Sequence, residues 1–381
     1  METSITRFED LTIRNFRRLS DVDLPLRPLT VMIGANGVGK SSLLDALSLL
    51  ARSAQGGLNA AVSEMSGISA MRTMDRDGDL ELGISMSASW QDALGYSLSL
   101  RAHGAGYVIS RETLVQGSGQ PLLIDARDSD ILYYHIATHF RPTWEHNPLE
   151  SSLSQVPKMF VETEQFRRKL ASCAFYHGLN VDPRSPVRLP QAMRPAPLPG
   201  KDGEDLVSCL YYLREAQPDR FEAVEDALKA AFPGFNRLDF PPVAAGTLAM
   251  TWRDKNFSRP LYTHQLSEGM LRFLWLVTLL QSPGLTALTL IDEPEVSLHP
   301  ELLSLLAGLL REASSLRTQI VVATHSDRLV SFLKPEEVVV MDAADDGTST
   351  LTWADQMHLE QWLEDYTLDD LWRSGRLGAR G

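Results

Sequence analysis

The sequence predicts an α/β fold: a largely parallel sheet with helices on its faces, an antiparallel β subdomain and an inserted helical lobe. Three observations predict it. Leu29 to Ile33 form an apolar run that enters a glycine-rich loop and then an apolar helix starting near Lys40. Ala287 to Ile291, a helix over 300 to 314 that opens on Pro300, and the apolar segment Gln319 to Thr324 make a β-α-β unit whose buried strands read as continuous apolar runs. Between them, residues 79 to 136 alternate apolar and polar positions in short stretches split by glycine-containing turns, the pattern of half-buried antiparallel strands.

In chain order, residues 10 to 14 and 29 to 33 read as strands. The loop holding Gly34, Asn36, Gly37, Val38, Gly39, Lys40, Ser41 and Ser42 satisfies G-x-x-x-x-G-K-[ST] between a strand and a helix. Backbone N–H groups in such a loop curl around an anion, a helix dipole points at it, and glycines permit close approach. Lys40 would reach the β- and γ-phosphates of a nucleotide, and the Ser41 hydroxyl would hold Mg²⁺. Leu43, Leu44, Ala46, Leu47, Leu49 and Leu50 make the following helix apolar on most sides, so it packs inside, and Gly56 and Gly57 end it.

Further on, 137 to 157 read as irregular, 159 to 176 as a helix, and six prolines between 183 and 199 as an extended linker. Two short helices are expected over 203 to 232, a hairpin over 238 to 257, and a strongly apolar helix from L-S-E-G-M onward. A strand at 337 to 341 and an acidic helix over 356 to 373 close the chain. The expected organisation is one head over 1–381. Residues 1–155 and 285–345 form a nucleotide-binding lobe with 79–136 as its β subdomain, 156–284 a helical lobe, and 346–381 the acidic C-terminal helix.

Three features fall at predicted strand ends, where α/β sheets place ligands. Asp292-Glu293 after an apolar strand reads as a Walker B pair: Asp292 holds Mg²⁺ through water and Glu293 orients or deprotonates the attacking water. His325, one helix and one strand later, offers a neutral imidazole to the γ-phosphate or that water. L-S-E-G-M, residues 266 to 270, is a capped helix start with Ser267 as N-cap. Asp342, Asp345 and Asp346 read as a hairpin turn.

Composition narrows the class. The only two cysteines, Cys173 and Cys209, exclude a disulfide framework or a zinc site and point to a reducing compartment. The charged start carries no secretory signal, and the most apolar run, Leu271 to Leu280, contains Arg272 and is too short to span a bilayer, so a cytoplasmic protein is expected. Net charge is −13, against indiscriminate DNA coating. Residues 336 to 370 hold eleven acids and no Lys or Arg, whereas 165 to 201 hold seven Lys/Arg and one acid. The basic run, with Arg167, Arg168 and Lys169, is a local DNA-contact surface or a solvated face.

The ordered set G-A-N-G-V-G-K-S, L-S-E-G-M, L-I-D-E-P-E-V-S-L-H-P and A-T-H-S resembles the head domain of ABC-type ATPases of the SMC and RecF class. More closely, the chain is similar to bacterial AAA/ABC-like ATPases that share such a head with overcoming-lysogenization-defect (OLD) proteins. N-F-R-R-L-S-D-V, F-Y-H-G-L-N-V-D-P, D-G-E-D-L and L-W-R-S-G-R-L-G carry that likeness across the chain.

The resemblance implies a P-loop NTPase with an ABC-type head, a mixed central sheet, and ATP with Mg²⁺ as cofactors. Residues 34 to 42 would cradle the triphosphate, and Ser267 and Gly269 would touch the γ-phosphate held by a second protomer. Asp292 and Glu293 would supply the metal contact and the base, Ser297 to Pro300 would face the partner, and His325 would be the switch histidine. Gln155, just before the insert, is the choice for a metal-contacting glutamine, with Gln116 and Gln120 as alternatives. Glu268 and Met270 stand where transporter ATPases carry Gly and Gln, which speaks against a transporter subunit. The insert is too small for a long coiled coil, and the stretch after His325 too short for the Toprim nuclease domain of some relatives.

The expected function is an ATP-dependent dimerisation switch in DNA repair or phage defence. It would form a homodimer through an ATP sandwich, with DNA and a separate nuclease or effector protein as further partners and no membrane. A non-DNA regulatory NTPase that docks a protein partner is the alternative.

Overall fold

The computed structural model describes residues 7–88, 91–117, 122–135, 138–244, 246–357 and 367–373. A six-stranded sheet runs in the spatial order Ala174–Tyr176, Leu288–Asp292, Gln319–Ala323, Leu29–Ile33, Val338–Ala343 and Ser349–Trp353. The first five strands are parallel and the last is antiparallel to its neighbour, so the sheet is mixed. Successive side chains point to opposite faces, and both faces are covered. Met32, Leu290 and Val321 enter a core shared with the helix Lys40–Gln55 and the β subdomain. Val31, Ile33, Ile291 and Val322 enter a second core shared with the inserted lobe.

The β subdomain is an eight-stranded antiparallel sheet in the order Leu19–Pro25, Phe8–Phe16, Leu80–Ala88, Gln91–His103, Gly106–Gln116, Leu122–Arg127, Asp130–His135 and Thr138–Phe140. The expected meander thus continues into Thr138–Phe140 and is joined by the first two strands of the chain. Inside it lies a buried carboxyl, Glu112, which accepts from Tyr96 Oη at 2.9 Å and from the N–H groups of Ser152 at 2.6 Å and Leu153 at 2.8 Å. Burial pushes its pKa up. The loop it grips is also fixed to the far end of the helix Lys40–Gln55, where Ser151 Oγ donates to Ser53 O at 2.8 Å.

The insert holds helices Val161–Ala171, Leu206–Ala216, Pro218–Ala231 and Glu268–Gln281 and two three-stranded sheets, so it is richer in strands than a helical lobe. The helix expected over 159–176 stops at Ala171, and Ala174–Tyr176 pairs in parallel with Thr289–Ile291 at the edge of the main sheet. Phe175 and Tyr176 gain burial there that a surface helix would not give them. Of the acidic helix expected over 356–373, a short turn at Ala354–Gln356 and a helix at Leu368–Arg373 are seen; 358–366 lie outside the described residues.

Candidate nucleotide-binding site

Lys40 closes the phosphate loop on itself. Its buried ammonium donates to Gly34 O at 2.6 Å and Ala35 O at 2.9 Å. An ammonium has three donors, so one is left for a phosphate oxygen. Burial lowers its pKa to about 8 against the opposing fields of Glu293, Asp292 and Glu295. Gly34 is required by space: a Cβ there would stand 2.4 Å from Met341 O on the neighbouring strand. Asn36 and Gly37 are exposed at the loop tip, while Val38 is buried and its carbonyl accepts from Ser349 Oγ at 2.6 Å. The helix begins at Gly39 with no side-chain cap, which leaves its first N–H groups for an anion. Ser41 is exposed beside them, and Ser42 lies 3.5 Å from Arg17 Nη1.

The adjacent strand ends bring three groups toward this loop. Asp292 terminates its strand with a pKa held above the usual carboxylate range, first by burial and then by the charge of Glu293. Glu293 turns sharply, with φ +49° and its N–H bonded to Ala323 O at 2.8 Å. A left-handed non-glycine residue is uncommon and holds about 1–3 kcal/mol of strain. The turn brings Glu293 Oε1 to 3.5 Å from His325 Nε2. Burial and the field of Lys40 lower the His325 pKa, which favours a neutral imidazole able to donate and accept.

No described cluster of three or more His, Cys, Asp or Glu forms a metal cage. Mg²⁺ bound with a nucleotide needs only one or two protein oxygens besides phosphate and water. Asp292, crowded by a second carboxylate, and the exposed Ser41 hydroxyl fit that demand.

Ser267 caps the helix Glu268–Gln281, its Oγ accepting from Met270 N at 3.3 Å. Glu268 Oε1 accepts from Arg272 Nη2 at 2.8 Å and from Ser297 Oγ at 2.9 Å. Gly269 lies so close to the Ser297 carbonyl that a Cβ would stand 2.8 Å from its oxygen. Among the described residues no hydrogen bond joins 267–270 to the phosphate loop of the same chain.

Residues 29–331 match the family described as "AAA domain, putative AbiEii toxin, Type IV TA system". The chain belongs to this AAA family. It is also similar to an OLD nuclease of Thermus scotoductus (strain ATCC 700910 / SA-01), with 52% identity over 40 residues, 10% of this chain and 8% of that protein. Among solved structures it resembles an SMC head bound to the C-terminal winged-helix domain of ScpA (TM-score 0.57, 17% identity, 91% of this chain and 97% of that one). It also resembles an SMC head with an extended coiled coil bound to the C-terminal domain of ScpA, derived from Pyrococcus furiosus (TM-score 0.55, 15% identity, 94% and 100%). At these identities the structural likeness establishes the fold, an α/β P-loop NTPase of the AAA/SMC kind, and the relation to OLD proteins rests on the 40-residue match.

Within this AAA-family head, Gln155 requires a correction. Its side-chain amide is satisfied inside its own loop, accepting from Asn147 N at 2.7 Å and donating toward Asn147 O, Glu150 O and Ser151 O at 3.1–3.2 Å. That loop is bonded to Ser53, twelve residues along the helix from Ser41, which is about 18 Å at 1.5 Å per residue. Gln155 therefore sits at the wrong end of the helix to touch a metal at Ser41. Gln116 ends the strand Gly106–Gln116 in the β subdomain, and Gln120 lies outside the described residues.

The residue that does meet the Asp292 neighbourhood is His177, which lines the same small cleft as Asp292 and Glu293. It follows the edge strand Ala174–Tyr176, as His325 follows its strand after Thr324. An apolar triplet ending in His was the available signal, hidden by the helical reading of 159–176. Glu295 was also missed: its carboxylate accepts from Thr324 Oγ1 at 2.6 Å and His325 N at 2.9 Å.

In the basic run, Arg167, Arg168 and Arg194 are paired with carboxylates and Arg188 with backbone carbonyls. Arg167 and Arg168 both pair with Glu164, at 2.5 and 2.7 Å, and hold its carboxyl at about 2. Arg188 donates to Val181 O at 2.7 Å and Leu266 O at 3.1 Å, and Arg194 pairs with Asp205 at 2.6 Å. Among the described residues no helix is long and apolar enough to cross a membrane.

Proposed function

We propose that the chain is an ATPase whose reaction centre is completed by a second copy, so that ATP binding drives dimerisation and hydrolysis reverses it. The observation that carries this reading is the phosphate loop, pre-closed by Lys40 and faced by Asp292, Glu293 and His325, while Ser267 and Gly269 form no hydrogen bond to it. In this reading the N–H groups of residues 36–41 and Lys40 hold the β- and γ-phosphates. Ser41 and Asp292 hold Mg²⁺, which supplies charge neutralisation on the phosphates. Glu293 takes the proton of the attacking water, and His325 steadies the γ-phosphate side of that water. Ser267 and Gly269 of the other copy close the site.

The nucleoside lies in a cavity of about 500 Å³ beside the loop, lined by Arg17, Arg18, Arg72, Met74, Arg76 and Thr348 among others. Thr348 precedes the Ser349 hydroxyl that is bonded to Val38, so the cavity abuts the phosphate loop. Guanidinium faces there suit both an α-phosphate and a stacked base.

The decisive experiment is Glu293→Gln with ATP and Mg²⁺ in size-exclusion chromatography. A trapped early-eluting dimer is expected, and a variant that stays monomeric at high concentration overturns the sandwich. Mixing Lys40→Ala with Ser267→Arg chains should restore part of the turnover, because one composite centre stays intact.

The relationship to OLD proteins supports work in phage defence or DNA repair with a nuclease or other effector as partner. The pairing of Arg167, Arg168 and Arg194 within the chain favours a second reading, a regulatory ATPase whose partner is a protein. ATP turnover stimulated by DNA and falling with salt separates the two.

A further inference from the structure

Residues 293–298 form a tight turn closed by Val296 N to Glu293 O at 3.2 Å and Leu298 N to Glu295 O at 3.0 Å. On one side, Glu295 Oε1 takes the Thr324 hydroxyl and the His325 backbone N–H. Its other oxygen is buried with no hydrogen-bond partner among the described residues. A buried, half-satisfied carboxylate costs stability, and apolar packing would serve better if packing were its only task. On the other side, Ser297 takes a left-handed φ of +62°, donates to Glu268 and presses its carbonyl on Gly269.

We propose that Glu295 is the positioning residue of the switch histidine His325, and that the Ser297–Glu268 contact ties that position to the helix Glu268–Gln281, whose start carries Ser267 and Gly269. This rests on the ATPase reading, in which His325 works on the γ-phosphate. With its N–H anchored on Glu295, the His325 backbone has a fixed origin for the ring that meets Glu293. Without that acceptor, the amide and the Thr324 hydroxyl seek other partners and the turn shifts; a displacement of about 1 Å costs about a hundredfold in rate. In that reading each chain gives its histidine to one centre and its Ser267 and Gly269 to the other. The run Arg272–Glu268–Ser297, then Glu295–His325, therefore links the two centres of a dimer through each chain.

The test measures ATP turnover and, separately, ATP affinity for wild type, E295A, E295Q, H325A and the E295A/H325A double variant, with backbone hydrogen exchange at 324–326. E295A is expected to lower kcat about a hundredfold, with Kd for ATP changed less than about threefold. E295Q keeps the acceptor oxygen and stays within about tenfold of wild type. The double variant is no slower than H325A, because both losses act through one ring. Exchange of the His325 amide rises in E295A and, by a smaller factor, in S297A. Multiplying losses in the double variant, or unchanged protection of His325 in E295A, overturns the proposal. If E295A fails to fold, E295Q and S297A carry the exchange comparison. If the wild-type protein turns over no ATP, the ATPase reading is what fails, and exchange at His325 still decides whether Glu295 holds the turn.

Discussion

The helix Lys40–Gln55 has two ends of similar material and opposite chemistry. Each is flanked by glycine and serine and met by a polar loop. At the start, no side chain caps the helix, Ser41 is exposed, and Lys40 keeps a donor free. At the far end the groups pair with one another. Gly56 and Gly57 donate to Ser53 O and Arg52 O, Ser151 also takes Ser53 O, and Glu150 receives the N–H groups of Leu58 and Asn59. A binding site lies where hydrogen-bonding capacity is left over, and density of polar residues alone does not mark it. The basic run teaches the same, since Arg167 and Arg168 are held by one buried carboxylate.

The contrast can be broken most directly at Lys40. Lys40→Ala should weaken ATP binding by at least about a hundredfold, read by titration calorimetry, because a buried charged contact to phosphate is removed. Near-normal affinity would mean that the open end is not the anion site.

At the closed end, Glu112→Ala should lower folding stability by about 2–4 kcal/mol, as Tyr96, Ser152 and Leu153 lose their acceptor. Thermal unfolding reads the loss, and ATP affinity of the folded variant should stay within about twofold.

A pH series sharpens the comparison at intermediate size. The Lys40 pKa of about 8 in the free protein is raised when phosphate arrives, so binding takes up a proton above that value. ATP affinity should therefore be level below pH 8 and fall as pH rises, by up to about tenfold per unit. A flat profile to pH 9.5 would show that Lys40 stays fully charged.

The smallest effects are expected where the polar groups are internally paired. Gln155→Ala should leave the Mg²⁺ concentration for half-maximal turnover unchanged, while Asp292→Asn raises it. Replacing Arg167 and Arg168 with alanine should leave DNA binding by anisotropy unchanged; a clear loss would return that face to the functional surface.

The chain by itself carries its local grammar. The strand–loop–helix around Lys40, the apolar strand before Asp292, the capped start at Ser267 and the alternation over the β subdomain are written in adjacent residues and recur in the structure. Only tertiary structure decided which polar groups are left unpaired and which strands are neighbours. Ala174–Tyr176 becomes the strand beside Asp292 through pairing with residues far away in sequence, and that pairing brings in His177 while Gln155 goes to the other end of the helix. Glu295 reads as one more acid in a turn until Thr324 and His325 arrive on it. Periodicity and spacing encode an element's own preferences, whereas hydrogen-bond satisfaction is settled by partners that sequence distance does not reveal.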